Sequence, residues 1–496
     1  MPAMSDRSGK APYRQLAESL QRFIEEGTLR PGGKLPSVRL MAKRHGLSPR
    51  TVVKSYGLLE DLGKVEGRSR SGFYVRPHLA PQSPLPKMAR PMARPAYVGV
   101  SDLAADVMEH STDLGSVSLG WGSPDGNLFP NRRIARMLSS IIRDEPGWLA
   151  RASLNWGYEP LAREIARRYV LDGVKISHAE LIITSGCTEA LNLSIRVVAK
   201  PGDTVAVETP AAFALLQTLQ SLGVRVLEIP MCPTQGVQLP NFRAALLSHK
   251  IAAVFTMPNF QNPLGCTLSD EMKGRFYDLL REFDLPAVED DVYGELFCGD
   301  RRPKPLKAWD VDGRVLLCSS FSKTLAPGLR VGWCAPGRYL EPVRRLKMAN
   351  TMGTPLVLQK LVCDFLRMGG YDHHLRGLRR AYHSHVLQFA EQIRRDFPAG
   401  TAVSRPQGGY ILWIQFPKQV DSVRLYHEAL KRHISFAPGI LFSSKLRYSN
   451  CIRINASAPL TAQVQSAISA LGHLASAQLP RTTGRALLRK FPALAR

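Results

Sequence analysis

The pattern of hydrophobic and polar positions predicts three short helices within the first 62 residues. The first covers residues 13–26, where one helical face carries the apolar side chains Leu16, Leu20, Phe23 and Ile24. The second runs from the N-cap candidate Ser37 to about His45, with Leu40 and Met41 facing inward. The third covers residues 49–62 and follows Ser48-Pro49, which supplies an N-cap and a proline at the first helical position.

The third helix is predicted to have one buried face and one polar face. Val52, Tyr56 and Leu59 form the buried face, and residues 65–67 and 71–75 then read as two short strands around a basic turn. Two helices at a tight turn followed by such a hairpin predict a winged helix-turn-helix. Its third helix would enter the DNA major groove by its N-terminal residues, and the wing would touch phosphates. The candidate DNA contacts are Arg39, Ser48, Arg50, Thr51, Lys54, Ser55, Arg68 and Arg70.

The remainder of the chain divides into a linker and a larger α/β unit. Six prolines and few large apolar residues between 76 and 96 predict an extended, semi-stiff linker. From about residue 115, apolar runs alternate with helical patterns, which predicts a mostly parallel sheet covered by helices on both faces. The predicted strands are 181–184, 204–208, 252–257, 287–289 and 315–319. The expected domains are a winged helix-turn-helix at 10–77, a proline-rich linker at 78–114, an α/β domain at 115–475 that divides near residue 370 into a large part and a small α+β part, and a basic tail at 476–496.

Composition and charge are consistent with a DNA-binding protein of the reducing cytosol. Lys and Arg total 66 against 41 Asp and Glu, a net charge of +25, which favours a polyanionic partner such as DNA. The eight cysteines include no Cys-x-x-Cys pair, which favours reduced thiols over a disulfide framework or a zinc site. No apolar run is long enough to span a bilayer. We therefore expect a cytoplasmic, nucleoid-associated protein without a membrane partner.

The larger domain contains an ordered set of residues suited to pyridoxal phosphate (PLP). This cofactor requires a lysine for a Schiff base, an acid near its pyridine nitrogen and donors around its phosphate. Lys323 is the candidate lysine, and Asp290 could keep the pyridine nitrogen protonated. The remaining candidates are Asn262 and Tyr293 for the ring hydroxyl, and Ser320, Ser322, Arg330, Cys187 and Thr188 for the phosphate, the last two at a helix N-terminus. Each residue alone has an ordinary structural explanation, whereas the ordered set favours the cofactor.

With these motifs the sequence resembles the MocR-type regulators, a branch of the GntR family, over residues 10 to 475. The resemblance rests on Leu35-Pro36-Ser37-Val38-Arg39 in the first domain, and on residues 258–265, 289–296 and 319–333 in the second. It implies a fold-type I, aspartate aminotransferase-like PLP domain and a homodimer. It also places Arg453 where relatives bind the carboxylate of a substrate or effector.

The sequence departs from the family pattern at three places. Relatives carry an aromatic residue, stacked on the PLP ring, two positions after the proline of a Glu-x-Pro element. Here Ala212 occupies that position and Phe213 follows it, so either Phe213 contacts the ring or the ring lacks this partner. The tyrosine that a neighbouring subunit often lends to the phosphate is not evident at residues 154–158. Pro49 is unusual in the recognition helix, but its position in the first turn is tolerable.

The sequence supports three functional hypotheses. The first is a transcriptional regulator that binds double-stranded DNA and senses PLP, or an amino compound that reacts with PLP. The second is an active PLP-dependent aminotransferase with an accessory DNA-binding module, since Lys323, Asp290, Tyr293 and Arg453 are all retained. The third is a DNA-binding protein with an inactive structural domain. A groove-reading helix has no role in metabolism, which favours the first.

Overall fold

The computed structural model describes most of the 496-residue chain. The described residues are 11–26, 28–29, 33–62, 64–68, 72–75, 83–92, 94–99, 101–110, 115–152, 156–299 and 301–480. Arg70, most of the basic tail and the side chain of Arg68 lie outside this description.

The N-terminal domain is a winged helix-turn-helix, as the sequence predicted. Ser37 and Ser48 cap the second and third helices by accepting from the backbone N–H of Leu40 and Thr51, at 3.3 and 3.1 Å. The wing is an antiparallel hairpin in which Val65 pairs with Val75. A small apolar core joins the helices and the wing. The elements are α1 (Pro12–Glu25), α2 (Val38–His45), α3 (Pro49–Asp61), β1 (Val65–Arg68) and β2 (Gly72–Val75).

The described part of the proline-rich segment, residues 83–92 and 94–99, lies along the larger domain. The backbone N–H of Val403 donates to Pro84 O at 2.9 Å, and Ala96 forms a β-bridge with Val226. Within the 78–114 range the structure also contains a helix that the sequence reading did not predict, α4 (Ser101–His110). Residues 83–92 and 94–99 therefore form a packed strap on the larger domain.

The large part of the second domain is an eight-stranded sheet between helices. Its strand order is β4-β11-β10-β9-β8-β5-β6-β7, with parallel pairing from β10 through β9, β8 and β5 to β6 and antiparallel pairing at both ends. The elements are β3 (Val117–Ser118), α5 (Asn131–Asp144), α6 (Glu159–Leu171), β4 (Ile182–Thr184), α7 (Cys187–Val198), β5 (Thr204–Thr209), α8 (Phe213–Ser221), β6 (Arg225–Cys232), β7 (Gly236–Val237), α9 (Leu239–Ser248), β8 (Ala253–Thr256), α10 (Asp270–Glu282), β9 (Ala287–Asp290), β10 (Val315–Ser320), β11 (Gly332–Ala335), α11 (Leu340–Thr351) and α12 (Leu356–Arg367).

The small part follows on a long helix and is built on a four-stranded antiparallel sheet. The sheet has the order β12-β13-β16-β15, and β14 pairs with β3 in a separate short sheet that ties the small part to the start of the large one. Among the described helices, none has the length and apolarity needed to cross a membrane. The elements are α13 (Gly370–Asp396), β12 (Ala402–Val403), β13 (Ile411–Gln415), α14 (Ser422–Leu430), β14 (Ile434–Ser435), β15 (Ala437–Pro438), β16 (Cys451–Asn455) and α15 (Ala462–Ala477).

The winged domain and the larger domain touch at α3 and α13. The carboxylate of Glu60, near the end of α3, lies 3.9 Å from the guanidinium of Arg380 on α13. The other oxygen of Glu60 accepts from the backbone N–H of Gly67 in the wing at 2.7 Å. This one side chain therefore connects the recognition helix, the wing and α13.

Candidate functional site

Lys323 lies in a single helical turn (Phe321–Lys323) directly after β10, at the carboxyl end of a central strand. Its Nζ donates to Gly122 O at 2.8 Å. Burial, reinforced by the positive charge of Arg453, lowers the pKa of the Lys323 amine to about 8. An amine with such a pKa is partly neutral near physiological pH, which is the form that attacks a carbonyl carbon.

Asp290 is the last residue of β9, which lies beside β10 and runs parallel to it. Its Oδ1 accepts from the backbone N–H of Val292 at 3.0 Å and from the thiol of Cys187 at 3.5 Å. Burial raises the pKa of the Asp290 carboxyl to about 6, against the opposing effect of the Val292 N–H. A positively charged ligand group beside this carboxyl would stabilise its ionised form.

Two side chains expected at the cofactor have buried polar atoms without a partner. Asn262 Oδ1 and Ser322 Oγ make no hydrogen bond within the described part of the chain. Buried polar groups in native structures are nearly always paired, so such atoms suit a ligand that supplies the missing partners. Ser320 differs, because its Oγ already accepts from the Ser322 N–H at 3.3 Å.

Arg330, one of the expected phosphate-binding residues, reaches the start of α7. Gly186 precedes this helix, so the first N–H groups, at Cys187 and Thr188, have no intrahelical acceptor. Arg330 has a left-handed backbone, with φ of 51°, and donates to Ser185 O at 2.9 Å. A Cβ at position 186 would lie 2.6 Å from Arg330 Nη2, so glycine there lets the arginine approach. Strain of this kind in a non-glycine residue is concentrated at functional sites.

Tyr293 is buried beside a second tyrosine that the sequence analysis missed. Its ring lies 5.6 Å from that of Tyr410, and burial raises the pKa of the Tyr293 hydroxyl to about 12. Tyr410 donates to Gly122 O at 2.9 Å, the carbonyl that Lys323 also contacts. The sequence signals for this pair of contacts are the glycine-rich segments Gly120-Trp121-Gly122 and Gly408-Gly409-Tyr410, which mark close backbone approaches.

Arg453 lies on β16 and is almost fully buried, with 2% of its surface exposed. Its Nη2 donates to Gly120 O, its Nε has no hydrogen-bond partner, and no carboxylate of the described residues is within ion-pair distance. Burial lowers the pKa of the Arg453 guanidinium to about 10. A buried cation without an acid is costly unless a ligand supplies the negative charge. Phe213, at the start of α8, packs beside this guanidinium.

The structure separates the candidate DNA contacts into available and unavailable residues. Arg39, Arg50 and Lys54 are exposed, and Thr51 Oγ1 lies 2.8 Å from Ser48 Oγ in the helix cap. Ser55 is a correction: it is fully buried, and its hydroxyl donates to Tyr13 O at 2.8 Å and Thr51 O at 3.0 Å. Ser55 therefore holds α3 against α1 and cannot contact DNA.

Two family models match this chain. The model for aminotransferase class I and II covers residues 149–471, and the model for bacterial regulatory proteins of the gntR family covers residues 12–75. The two matches correspond to the larger domain and the winged domain.

Relatives are found among both regulators and aminotransferases. Two proteins of Escherichia coli (strain K12), named as uncharacterized HTH-type transcriptional regulators YjiR and YdcR, are 37% and 36% identical over 93% and 94% of this chain and 98% and 99% of their own lengths. Among solved structures, LysN from Thermus thermophilus, an alpha-aminoadipate aminotransferase complexed with N-(5'-phosphopyridoxyl)-L-leucine, is similar with a TM-score of 0.71 and 26% identity over 76% of this chain and 95% of that one.

The relatives that span both domains are thus named as regulators, whereas this structural relative corresponds to the larger domain. The fold-type I aminotransferase architecture and the residues around Lys323 together imply PLP binding. The chain belongs to the MocR-type family of transcriptional regulators, in which a gntR-type helix-turn-helix domain precedes an aminotransferase class I and II domain.

Proposed function

We propose that this protein regulates transcription by binding operator DNA through α3 and the wing, and that it senses PLP, or an amino compound that reacts with PLP, at Lys323. The observation that carries the proposal is the coexistence, in one chain, of an accessible recognition helix and a lysine site with unpaired buried atoms at Asn262 and Ser322. A ligand bound beside Lys323 would supply the hydrogen-bond partners that these two atoms lack.

The residues around Lys323 each have a role in holding the cofactor. PLP supplies an aldehyde that reacts with amines and a ring that withdraws electrons. Lys323 provides the amine, Asp290 holds a proton at the pyridine nitrogen, and Asn262 and Tyr293 bond the ring hydroxyl. The phosphate is bound by Ser320, Ser322, Arg330 and the N–H groups of Cys187 and Thr188. The gap in hydrogen bonding at Asn262 and Ser322 supports this assignment.

Arg453 indicates the chemical class of the effector. A buried guanidinium without an acid attracts a carboxylate, and a charge-assisted pair in this setting would be stronger than one at the surface. The proposed effector is therefore an amino compound that carries a carboxylate, bound with its amine toward Lys323.

The DNA-binding role falls to the first turns of α3. Arg50, Thr51 and Lys54 are its candidate contacts to DNA, with Arg39 on α2 and Arg68 and Arg70 of the wing for phosphates. A homodimer would present two such helices to a two-fold operator. A protein of this kind works in the cytoplasm, close to the nucleoid.

Two measurements on the purified full-length protein test this proposal. Added PLP should produce an absorption band of lysine-bound cofactor, and labelled DNA from upstream of its own gene should shift in a gel with an affinity that depends on PLP. A protein that stays colourless in saturating PLP, or binds no specific DNA with or without it, would contradict the proposal.

An active aminotransferase is a second candidate, favoured by the retention of Lys323, Asp290, Tyr293 and Arg453. Sustained conversion of an amino acid and a keto acid over many turnovers would support it. A single half-reaction that stops after one equivalent would instead support the sensor.

A further inference from the structure

Arg453 packs against two aromatic rings that lie together on one side of its guanidinium. Its Cζ is 5.2 Å from the ring centroid of Phe213 and 5.2 Å from that of Phe442. The two rings meet edge to face, with centroids 5.8 Å apart, and the Trp413 ring lies 5.1 Å from that of Phe442. All three aromatic side chains are buried. The guanidinium is thus fixed by a buried aromatic cluster.

Few polar groups of the described residues help to hold the Arg453 guanidinium. The one described hydrogen bond of the Arg453 side chain runs from Nη2 to Gly120 O, and Nε is left without a partner. A guanidinium accepts aromatic contact on its flat faces and donates hydrogen bonds at its edge. Aromatic rings can therefore orient the cation without occupying the donors that a carboxylate needs. An Asp or Glu in their place would compete with that carboxylate.

The position of Phe213 follows from the unusual segment before α8. Ala212 is the N-cap residue of this helix, and Phe213 is its first residue. The backbone turns into the helix at this step, since Ala212 has a non-helical ψ of 127°. The aromatic side chain is thereby directed to Phe442 and Arg453, and only a methyl group remains at position 212.

We propose that Phe213 and Phe442, which we call the clamp, are positioning residues for Arg453. By holding the guanidinium in place, the clamp makes the site selective for amino compounds that carry a carboxylate. The inference rests on the proposed carboxylate-binding role of Arg453. It gives Phe213 a role in effector selection, distinct from stacking on the cofactor ring.

Three matched pairs of probes test the clamp on the full-length, PLP-loaded protein. Each pair is an L-amino acid and its decarboxylated amine: L-leucine and 3-methylbutylamine, L-phenylalanine and 2-phenylethylamine, L-alanine and ethylamine. Their apparent Kd values are read from the change in the cofactor spectrum. Because Phe213→Leu removes a desolvated cation–π contact, it should raise the Kd of the amino acids about tenfold. The Kd values of the amines and of PLP itself should change by no more than about twofold.

Companion variants separate this role from a loss of folding. Phe442→Leu should repeat the pattern, and Phe213→Tyr, which keeps the ring, should retain the original selectivity. Adding Phe213→Leu to Arg453→Ala should cause no further loss, because the clamp acts only through the arginine. The thermal melting of each apoprotein reports whether the fold is kept.

The outcomes also distinguish a failure of the clamp from a failure of the carboxylate site. If Phe213→Leu weakens the binding of PLP, or weakens the binding of amines and amino acids equally, the Phe213 ring serves the cofactor. The proposed clamp on Arg453 is then contradicted. An unchanged selectivity in Phe213→Leu would contradict it as well. If Arg453→Ala itself does not reduce selectivity, or none of the three amino acids changes the spectrum of the unaltered protein, the carboxylate role of Arg453 fails and the clamp with it.

Discussion

The amine of Lys323 and the carboxyl of Asp290 are both shifted toward their neutral forms by burial, with pKa values of about 8 and about 6. In each case the protein keeps a titratable group where it is less well solvated than in the unfolded chain. A cofactor that reacts with the amine and places a cation beside the carboxyl would relieve both costs. Binding of such a cofactor would thus recover free energy that burial of these two groups costs the apoprotein.

Asp290→Asn should make the apoprotein more stable at neutral pH while weakening its binding of PLP. Because the folded-state pKa of Asp290 lies above the ordinary value of 3.8, this carboxyl lowers stability progressively as pH rises from about 4 through 6. The asparagine keeps an acceptor for the Val292 N–H and cannot ionise. We expect a gain on the order of 2 kcal/mol above pH 7 and none below pH 4.

Denaturant unfolding of apoproteins between pH 4 and 8 measures this difference. Asp278→Asn, at an exposed position on α10, is the matched control and should track the unaltered protein at every pH. A pH-independent effect of Asp290→Asn would show that the carboxyl is not the source.

Lys323→Ala should abolish the absorption band of lysine-bound cofactor, because the alanine has no amine to react. Lys431→Ala, which removes an exposed lysine paired with Glu428, should keep the band at full intensity. Borohydride reduction followed by peptide mass analysis locates the attached lysine independently. A band that persists in Lys323→Ala would place the attachment elsewhere.

Some individual residues could be predicted from the sequence and others could not. Lys323, Asp290 and Asn262 could be proposed from the sequence because they belong to contiguous motifs. Ser55 was assigned to DNA because it was placed on the polar face of the third helix, but its partner Tyr13 O is 42 residues away. Leu40 was expected inside and is 44% exposed, since the short helix α2 packs through Met41 and Ala42. Contacts of this kind depend on tertiary packing, which periodicity does not report.

At the scale of elements, the recognition helix is the part of α3 that packing leaves exposed. Ser48 and Pro49 fix its first turn, so Arg50 and Lys54 project from a rigid start. Lys54 Nζ also lies 4.0 Å from the Tyr13 ring centroid, which restricts its motion. Ordering before binding lowers the entropy cost of forming DNA contacts.

Arg50→Ala combined with Lys54→Ala should weaken specific DNA binding and leave PLP binding unchanged. If Arg50 makes a bidentate base contact, its share of the loss is about 1–3 kcal/mol, or roughly 5- to 150-fold in Kd. Arg275→Ala with Arg281→Ala, on the exposed face of α10, removes the same charge as a control. Gel shifts at fixed salt measure both pairs, and an equal loss in the control would indicate only non-specific attraction.

The elements themselves were largely predictable, because buried strands are continuous apolar runs. The predicted 204–208 and 315–319 correspond to Thr204–Thr209 and Val315–Ser320. The strand Arg225–Cys232 was missed since it mixes Arg225, Glu228 and Pro230 with apolar residues. Glu228 is buried, and it accepts hydrogen bonds from Ser443 and Ser444. The helix Ser101–His110 was missed because the prolines before it suggested a continuous linker.

At the scale of the whole molecule, α13 touches both the lysine site and the winged domain. Its first turns contact the residue after Lys323: the Tyr371 hydroxyl donates to Thr324 Oγ1 at 2.7 Å, and His374 Nε2 donates to Thr324 O at 2.9 Å. Farther along, Tyr382 packs on Tyr410 at 4.8 Å, and Arg380 faces Glu60 of α3. We therefore expect a change at Lys323 to reach α3 through α13.

Arg380→Gln should reduce the effect of PLP on DNA affinity without changing the affinity for PLP. The ion pair with Glu60 is 3.9 Å long and about half exposed at the arginine, so its contribution is at most about 1 kcal/mol, or about fivefold in the coupling between the two ligands. Arg376→Gln, one turn earlier on the exposed side of the same helix, loses the same charge and should leave the coupling intact. DNA titrations with and without PLP measure the coupling for each variant. Equal coupling in the two variants would show that the α3–α13 contact does not transmit the effect of PLP. The link between cofactor and DNA would then have to run through the strap at residues 83–92 and 94–99 or through a partner subunit.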